Sequence, residues 1–233
     1  MTPIERPSPN FDVRKLPVQM VVLHYTGMTS AAAAIDRLAD PAAKVSAHWV
    51  VTENGQVVRM VDEGHRAWHA GKSWWRGVTD VNSTSIGIEI VNPGHEFGYR
   101  PFPEAQMAAV EALVAEAVQR FGIQPANVVG HSDVAPARKE DPGELFDWPR
   151  LARAGLAMPV PAGGFDPGWT DAGTLAALAR YGYDATEPQA AVMAFQRRFR
   201  PANFDGVIDA ETRTILRNVL LAGSTDPQWT RVK

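Results

Sequence analysis

The chain has 233 residues, no cysteine and a formal net charge of −3, with 45% hydrophobic and 21% charged residues. The missing cysteines exclude disulfides and thiolate metal ligands, and the lack of a Lys/Arg cluster argues against nucleic acid as a partner. The length suffices for one large or two modest domains with an ordinary core, and no window approaches the ~20 apolar residues of a membrane-spanning segment.

In chain order, residues 1–10 hold three prolines and read as an extended arm. They lack a basic region followed by an apolar stretch, so they do not form a secretory signal. The expected compartment is the cytoplasm if the chain is full length, with the periplasm as the alternative if a signal peptide has been removed. The apolar run 19–25 predicts a strand that ends near His24. Thr29 or Ser30 is placed to cap a helix through about Ala39, with Ile35 and Leu38 inward. Strands over 47–52 and 56–61 are joined by Glu53-Asn54-Gly55, a hairpin signal. His48 opens the first of them and reads as a polar residue beneath the site, whereas His65 and His95 read as surface residues.

A loop with Trp68, His69, Trp74, Trp75 and Arg76 follows. Its aromatic rings can stack on sugar faces and Arg76 can hold carboxylates, although paired tryptophans can equally anchor a long loop. The strand over 85–91 alternates Ile86, Ile88 and Ile90 with Gly87, Glu89 and Val91, which leaves Glu89 either facing solvent or lying over a site. Asn82 and Asn92 flank that strand as candidate substrate hydrogen-bond donors. Met107, Val110, Val114, Val118 and Phe121 recur at spacings of three and four, predicting a helix from Pro103 to Phe121 that Gly122 ends. A strand over 127–131 leads into the loop from His131 to Gly143.

The expected fold class is α/β, with a mixed central sheet flanked by helices in residues 1–156. A Pro/Gly-rich linker spans 157–168, and a small three-helix domain fills 169–233. Its helices are expected over 174–183, 187–199 and 210–221. Val192, Phe195 and Phe199 form a core stripe, and Asp209 caps the third helix.

A chain without cysteine must build a catalytic zinc site from imidazoles and carboxylates, with three protein ligands and one open position. His24 at a strand end, and His131 with Asp141 on one loop, suit that role. Pro136 and Pro142 would stiffen the loop that folds Asp141 back toward His131. Lys139 is placed either to face a developing negative oxygen or to pair with Glu140 in solvent.

His24-Tyr25-Thr26-Gly27, Ser46-Ala47-His48-Trp49, Ala67-Trp68-His69-Ala70-Gly71, Ser85 through Asn92 and His131 through Gly143 occur in the order of the zinc-dependent N-acetylmuramoyl-L-alanine amidases of type 2. The resemblance covers about residues 5–155 and extends to phage lysozyme-type amidases and peptidoglycan recognition proteins. It implies Zn²⁺ on His24, His131 and Asp141, Glu89 as general base and acid, and Lys139 as the second catalytic position. It also implies that the loop with Trp68 and His69 lines the substrate cleft. The substrate it implies is peptidoglycan or soluble muropeptides, including 1,6-anhydro forms, cut between N-acetylmuramic acid and L-alanine in recycling or turnover. Some phage relatives carry a catalytic tyrosine where this chain has Ala47, which leaves the glutamate route. Leu178, Tyr181-Gly182-Tyr183, Ala194-Phe195-Gln196, Asp205-Gly206 and Thr212 resemble the small peptidoglycan-binding domain. A non-catalytic recognition protein and a zinc peptidase acting within the stem peptide are the competing readings.

Overall fold

The structure, a computed structural model, describes residues 2–223. Two short extended pieces, β1 (Ile4–Glu5) and β2 (Phe11–Val13), precede β3 (Met20–Tyr25), in which Met20 through His24 are all buried. Helix α1 (Ala31–Ala39) begins where Ser30 Oγ accepts the Ala33 N–H at 3.2 Å, satisfying one orphan amide of the first turn. Leu38 is buried, and Ile35 packs beside it. Strands β4 (Trp49–Val51) and β5 (Val57–Arg59) form the expected hairpin, with Gly55 at φ 81° in its turn.

Next come β6 (His65–Ala67), the short helix α2 (Val81–Thr84), β7 (Ser85–Ile90), the single turn α3 (Gly94–Phe97) and α4 (Glu104–Phe121). In α4, Met107, Val110 and Val114 are buried, and Gly122 at φ 65° ends the helix, a left-handed position that costs glycine little. The chain continues through β8 (Val128–Gly130), α5 (His131–Val134) and α6 (Trp148–Arg153). It then forms α7 (Asp171–Tyr181), α8 (Pro188–Phe199) and α9 (Ala210–Gly223). The end of the expected 169–233 domain, residues 224–233, lies outside the described residues. Among the described residues no helix is long and apolar enough to cross a membrane.

The main sheet has the order β1-β5-β4-β7-β3-β8 and is parallel except between β4 and β5. Strands β2 and β6 form a separate antiparallel pair. Strands β3 and β7 lie inside the sheet and are covered on both faces, as interior strands of parallel sheets are. On one face Val21, Leu23, Ile86, Ile88 and Ile90 pack with Val110 and Val114 of α4 and Leu151 of α6.

On the other face Met20, Val22 and Val129 join Trp75, Leu178, Tyr181, Tyr183, Phe195 and Leu216 in one apolar cluster. The helices after residue 170 therefore share a core with the sheet. Residues 157–168 have no regular secondary structure, yet Met158 is buried in that same cluster. A sheet face carrying Met20, Val22 and Val129 must be covered to leave water, and the helical lobe covers it.

Candidate metal centre and cavity

Alternation along β3 puts His24 on the face of Met20 and Val22, toward the helical lobe. Its register partner on β7 is Glu89, so both side chains leave the sheet on one side. His131 does not close a strand, as its sequence suggests, but opens α5 immediately after β8. The loop then returns, and the Ser132 N–H donates to Asp141 O at 2.9 Å, which seats Asp141 against the turn that carries His131.

The result is a small triangle of side-chain atoms. His24 Nδ1 and His131 Nδ1 lie 2.9 Å apart, and each is 3.1 Å from Asp141 Oδ2. All three residues are buried. The opposite ring nitrogens have partners of their own: His131 Nε2 is 3.0 Å from Ala70 O, and His24 Nε2 is 3.0 Å from His69 Nδ1.

A carbonyl only accepts, so His131 carries its proton on Nε2 and turns a lone pair toward the triangle. His24 does the same when it donates to His69. Two imidazole lone pairs and a carboxylate oxygen then converge with no hydrogen between them, an arrangement that a cation relieves. Ligands at ~2.0–2.1 Å in tetrahedral geometry are separated by about 3.3 Å, close to these edges. These three residues could hold a metal ion. Burial, then the charge of His131, holds His24 down to about 4, which keeps the ring neutral and ready to coordinate at neutral pH. Burial alone would raise Asp141, but its contacts with His131 and His24 outweigh it and hold the carboxyl well below the usual range.

The triangle forms the floor of a cavity of about 320 Å³, whose walls include Glu89, Trp68, Lys139 and Glu140. Glu89 Oε2 is buried and, among the described residues, has no hydrogen-bond partner. Burial, reinforced by the Asp141 charge, pushes the Glu89 carboxyl well above its ordinary value. A proton-avid carboxyl beside a candidate metal is a group that can exchange protons with substrate.

The other sequence candidates divide. Trp68 lines the cavity and donates from Nε1 to Asp12 Oδ2 at 2.7 Å. His69 borders the cavity but is 9% exposed, with one ring nitrogen on His24 and the other on Ser85. Its ring nitrogens face the interior, behind His24.

Arg76, Asn82 and Asn92 are absent from the cavity wall. Arg76, at φ 50°, contacts the helical lobe through its N–H to Gly182 O and reaches Asn127 Oδ1. Asn82 Oδ1 accepts the N–H groups of His69 and Ala70. Asn92 braces a turn, donating to Arg100 O and accepting from Gly94 N–H. Trp75 is fully buried against Tyr181 and Tyr183. His48 lies under the sheet end, where Nδ1 accepts the Gly87 N–H at 2.9 Å.

Sequence reasoning passed over Ser85, although the alternation Ser85, Gly87, Glu89 places it on the site face of β7. It also passed over Asp133 of α5 together with Tyr183 and Arg198, which brace that turn from a part of the chain distant in sequence. Their spacing of 50 and 65 residues leaves no local pattern to read.

Such a cluster, set in a cavity at the strand ends of a mixed sheet, has the donor set that a metal-assisted hydrolase requires. A family model described as N-acetylmuramoyl-L-alanine amidase matches residues 14–144. N-acetylmuramoyl-L-alanine amidase AmiD of Escherichia coli is 38% identical, over 87% of this chain and 82% of its own length. The structure of AmiD with anhydro-N-acetylmuramic acid-L-Ala-D-gamma-Glu-L-Lys superposes with a TM-score of 0.81 at 35% identity, covering 90% of this chain and 91% of AmiD. The 1,6-anhydro-N-acetylmuramyl-L-alanine amidase AmpD of Haemophilus influenzae is 37% identical, over 46% of this chain and 56% of its own length. The chain belongs to the N-acetylmuramoyl-L-alanine amidase family, and it is an enzyme of that class.

Proposed function

We propose that this amidase hydrolyses the bond between the lactyl group of N-acetylmuramic acid, or its 1,6-anhydro form, and the L-alanine of the stem peptide, using Zn²⁺ held by His24, His131 and Asp141. The observation that carries this reading is the triangle of three converging acceptors with edges of 2.9 and 3.1 Å, beside a buried glutamate. A bound zinc supplies Lewis-acid polarisation of the amide carbonyl and a lowered pKa for the attacking water.

Glu89 takes the proton of that water and passes it to the leaving nitrogen. Its raised proton affinity suits it to hold the proton between the two events. The Lys139 ammonium faces the oxygen on which negative charge develops, a contribution typically of a few kcal/mol. Trp68 gives the cavity wall an aromatic face for sugar or peptide. The substrate is a soluble muropeptide or a strand of peptidoglycan, which places the enzyme in cell-wall recycling or turnover.

Mass spectrometry of products tests the reading. Zinc-loaded protein is incubated with a defined anhydro-muropeptide and, separately, with purified sacculi, each alongside Glu89→Ala. Free stem peptide with an intact sugar product, absent with the variant, is the expected outcome. Fragments cut within the stem peptide would instead mark a peptidase, and binding without turnover would mark a recognition protein.

A further inference from the structure

Behind His24 a line of hydrogen bonds ends on the main chain. His24 Nε2 meets His69 Nδ1 at 3.0 Å, His69 Nε2 meets Ser85 Oγ at 3.2 Å, and Ser85 Oγ donates to Val81 O at 2.6 Å. Ser85 is fully buried and His69 nearly so, so no bulk water competes for these groups.

The terminal carbonyl sets the direction of every bond. Val81 O only accepts, so the Ser85 hydroxyl spends its single proton there and offers its oxygen to His69. His69 Nε2 therefore carries the proton and Nδ1 keeps the lone pair. His24 must donate to that lone pair from Nε2, which leaves His24 Nδ1 free of hydrogen where it faces His131 Nδ1 and Asp141 Oδ2.

A second observation shows a seat made for His69. A Cβ added at Gly87 would fall 2.5 Å from both Cγ and Cδ2 of the His69 ring. The ring thus lies directly on the β7 backbone, at a place only glycine leaves open. The site face of β7 then has three jobs in alternate positions: Ser85 ends the relay, Gly87 seats the ring, and Glu89 enters the cavity.

We propose that Ser85 and His69 are positioning residues that select the Nε2–H tautomer of His24 and fix its ring so that Nδ1 points at the metal. This rests on the reading of His24 as a ligand. Partners behind a metal-binding histidine generally set its tautomer and orientation, and losing them costs about 10–100-fold in metal affinity or activity.

The experiment measures the zinc dissociation constant by competition with a chromophoric chelator. It also records the ¹⁵N signature of the His24 ring in the metal-free full chain. The variants are Ser85→Ala, His69→Leu, His69→Asn and Gly87→Ala, with His24→Ala as the control and thermal unfolding as the check on folding. Ser85→Ala, His69→Leu and Gly87→Ala are expected to weaken zinc binding by about 10–100-fold and to disturb the single Nε2–H signature of His24. His69→Asn, whose Oδ1 can accept from His24 Nε2, is expected to recover most of the affinity.

Wild-type affinity and an unchanged His24 signature in Ser85→Ala and His69→Leu would overturn the proposal, including the case in which only their stability falls. Should either variant fail to fold, His69→Asn with Gly87→Ala decides by the same two readouts. Equal zinc binding by wild type and His24→Ala would instead overturn the ligand reading itself, which separates the two failures.

Discussion

The two imidazoles of the candidate metal centre are held by different parts of the molecule. His24 sits on β3, an interior strand paired to β7 along its whole length and to β8 on its other side, and its neighbours Val22 and Leu23 are fully buried. His131 follows β8, the strand at the sheet edge, and opens a helix of four residues. An edge strand has one ladder, and a single helical turn has little stability of its own.

The missing support comes from the helical lobe. Arg198 donates to Asp133 Oδ2 at 2.6 Å and to Val128 O at 2.8 Å, while Tyr183 donates to Asp133 Oδ1 at 2.5 Å. Asp133 Oδ2 also accepts the Gly130 N–H at 2.7 Å, which ties this network to the residue before His131. One half of the centre is thus built by sheet pairing, and the other half depends on a lobe distant in sequence.

The sharpest separation of chemistry from support is Glu89→Gln. Turnover should fall by about 10²–10⁴-fold, with no loss of fold, because the variant replaces a buried carboxyl whose Oε2 has no partner among the described residues. Burial raises the folded-state affinity of this carboxyl for its proton. Its contribution to stability is therefore present at pH below the unfolded value near 4.5 and is lost as pH rises through the folded value. Chemical denaturation of the metal-free proteins should accordingly show wild type losing ground to Glu89→Gln as pH climbs from 4 toward neutrality.

Arg198→Met tests the supported half. It strands Asp133 as a buried charge and should cost about 3–5 kcal/mol of unfolding free energy, with weakened zinc binding because the His131 turn loses its brace. Unchanged stability and zinc affinity in this variant would remove the distinction between the two halves. Tyr183→Phe takes away one donor from the same carboxylate and should cost less, about 1.5–3 kcal/mol in the same denaturation assay.

The smallest effect is expected where the irregular segment meets the lobe. Asp166 pairs with Arg213 at 2.6 Å, and that hydrogen bond, followed by one from Gly168 N–H, lowers the Asp166 carboxyl to about 2. The pair contributes stability above pH ~3.8 that is lost as pH falls through about 2. The difference in unfolding midpoint between wild type and Asp166→Asn should therefore shrink across that acid window.

Local signals in the chain reach only a few residues. Helix α4 announced itself by an apolar stripe bounded by Pro103 and Gly122, and the β4–β5 hairpin by Asn54-Gly55, because propensity and period act over a few residues. Strands β1, β2 and β6, of two or three residues each, are too short to show a period. Nothing near Arg76 in the sequence shows that Asn127 and Gly182 meet it. His69 carried a motif that pointed to the cleft, and it does border the cavity, but the packing of its ring on Gly87 had no local signal.

Local sequence was enough to read the longer strands and helices, the alternation along β7 and the donor types available, since these depend on local sterics, periodicity and side-chain chemistry. It also named His24, His131 and Asp141, which the fold brings within 3.1 Å. Long-range packing set the rest: the helical lobe shares a core with the sheet, Arg198 and Tyr183 brace the turn of His131, and Ser85 stands behind His24 through His69. Those pairings join residues tens of positions apart, and their energy comes from burial and hydrogen-bond direction, which exist only once the chain has closed on itself.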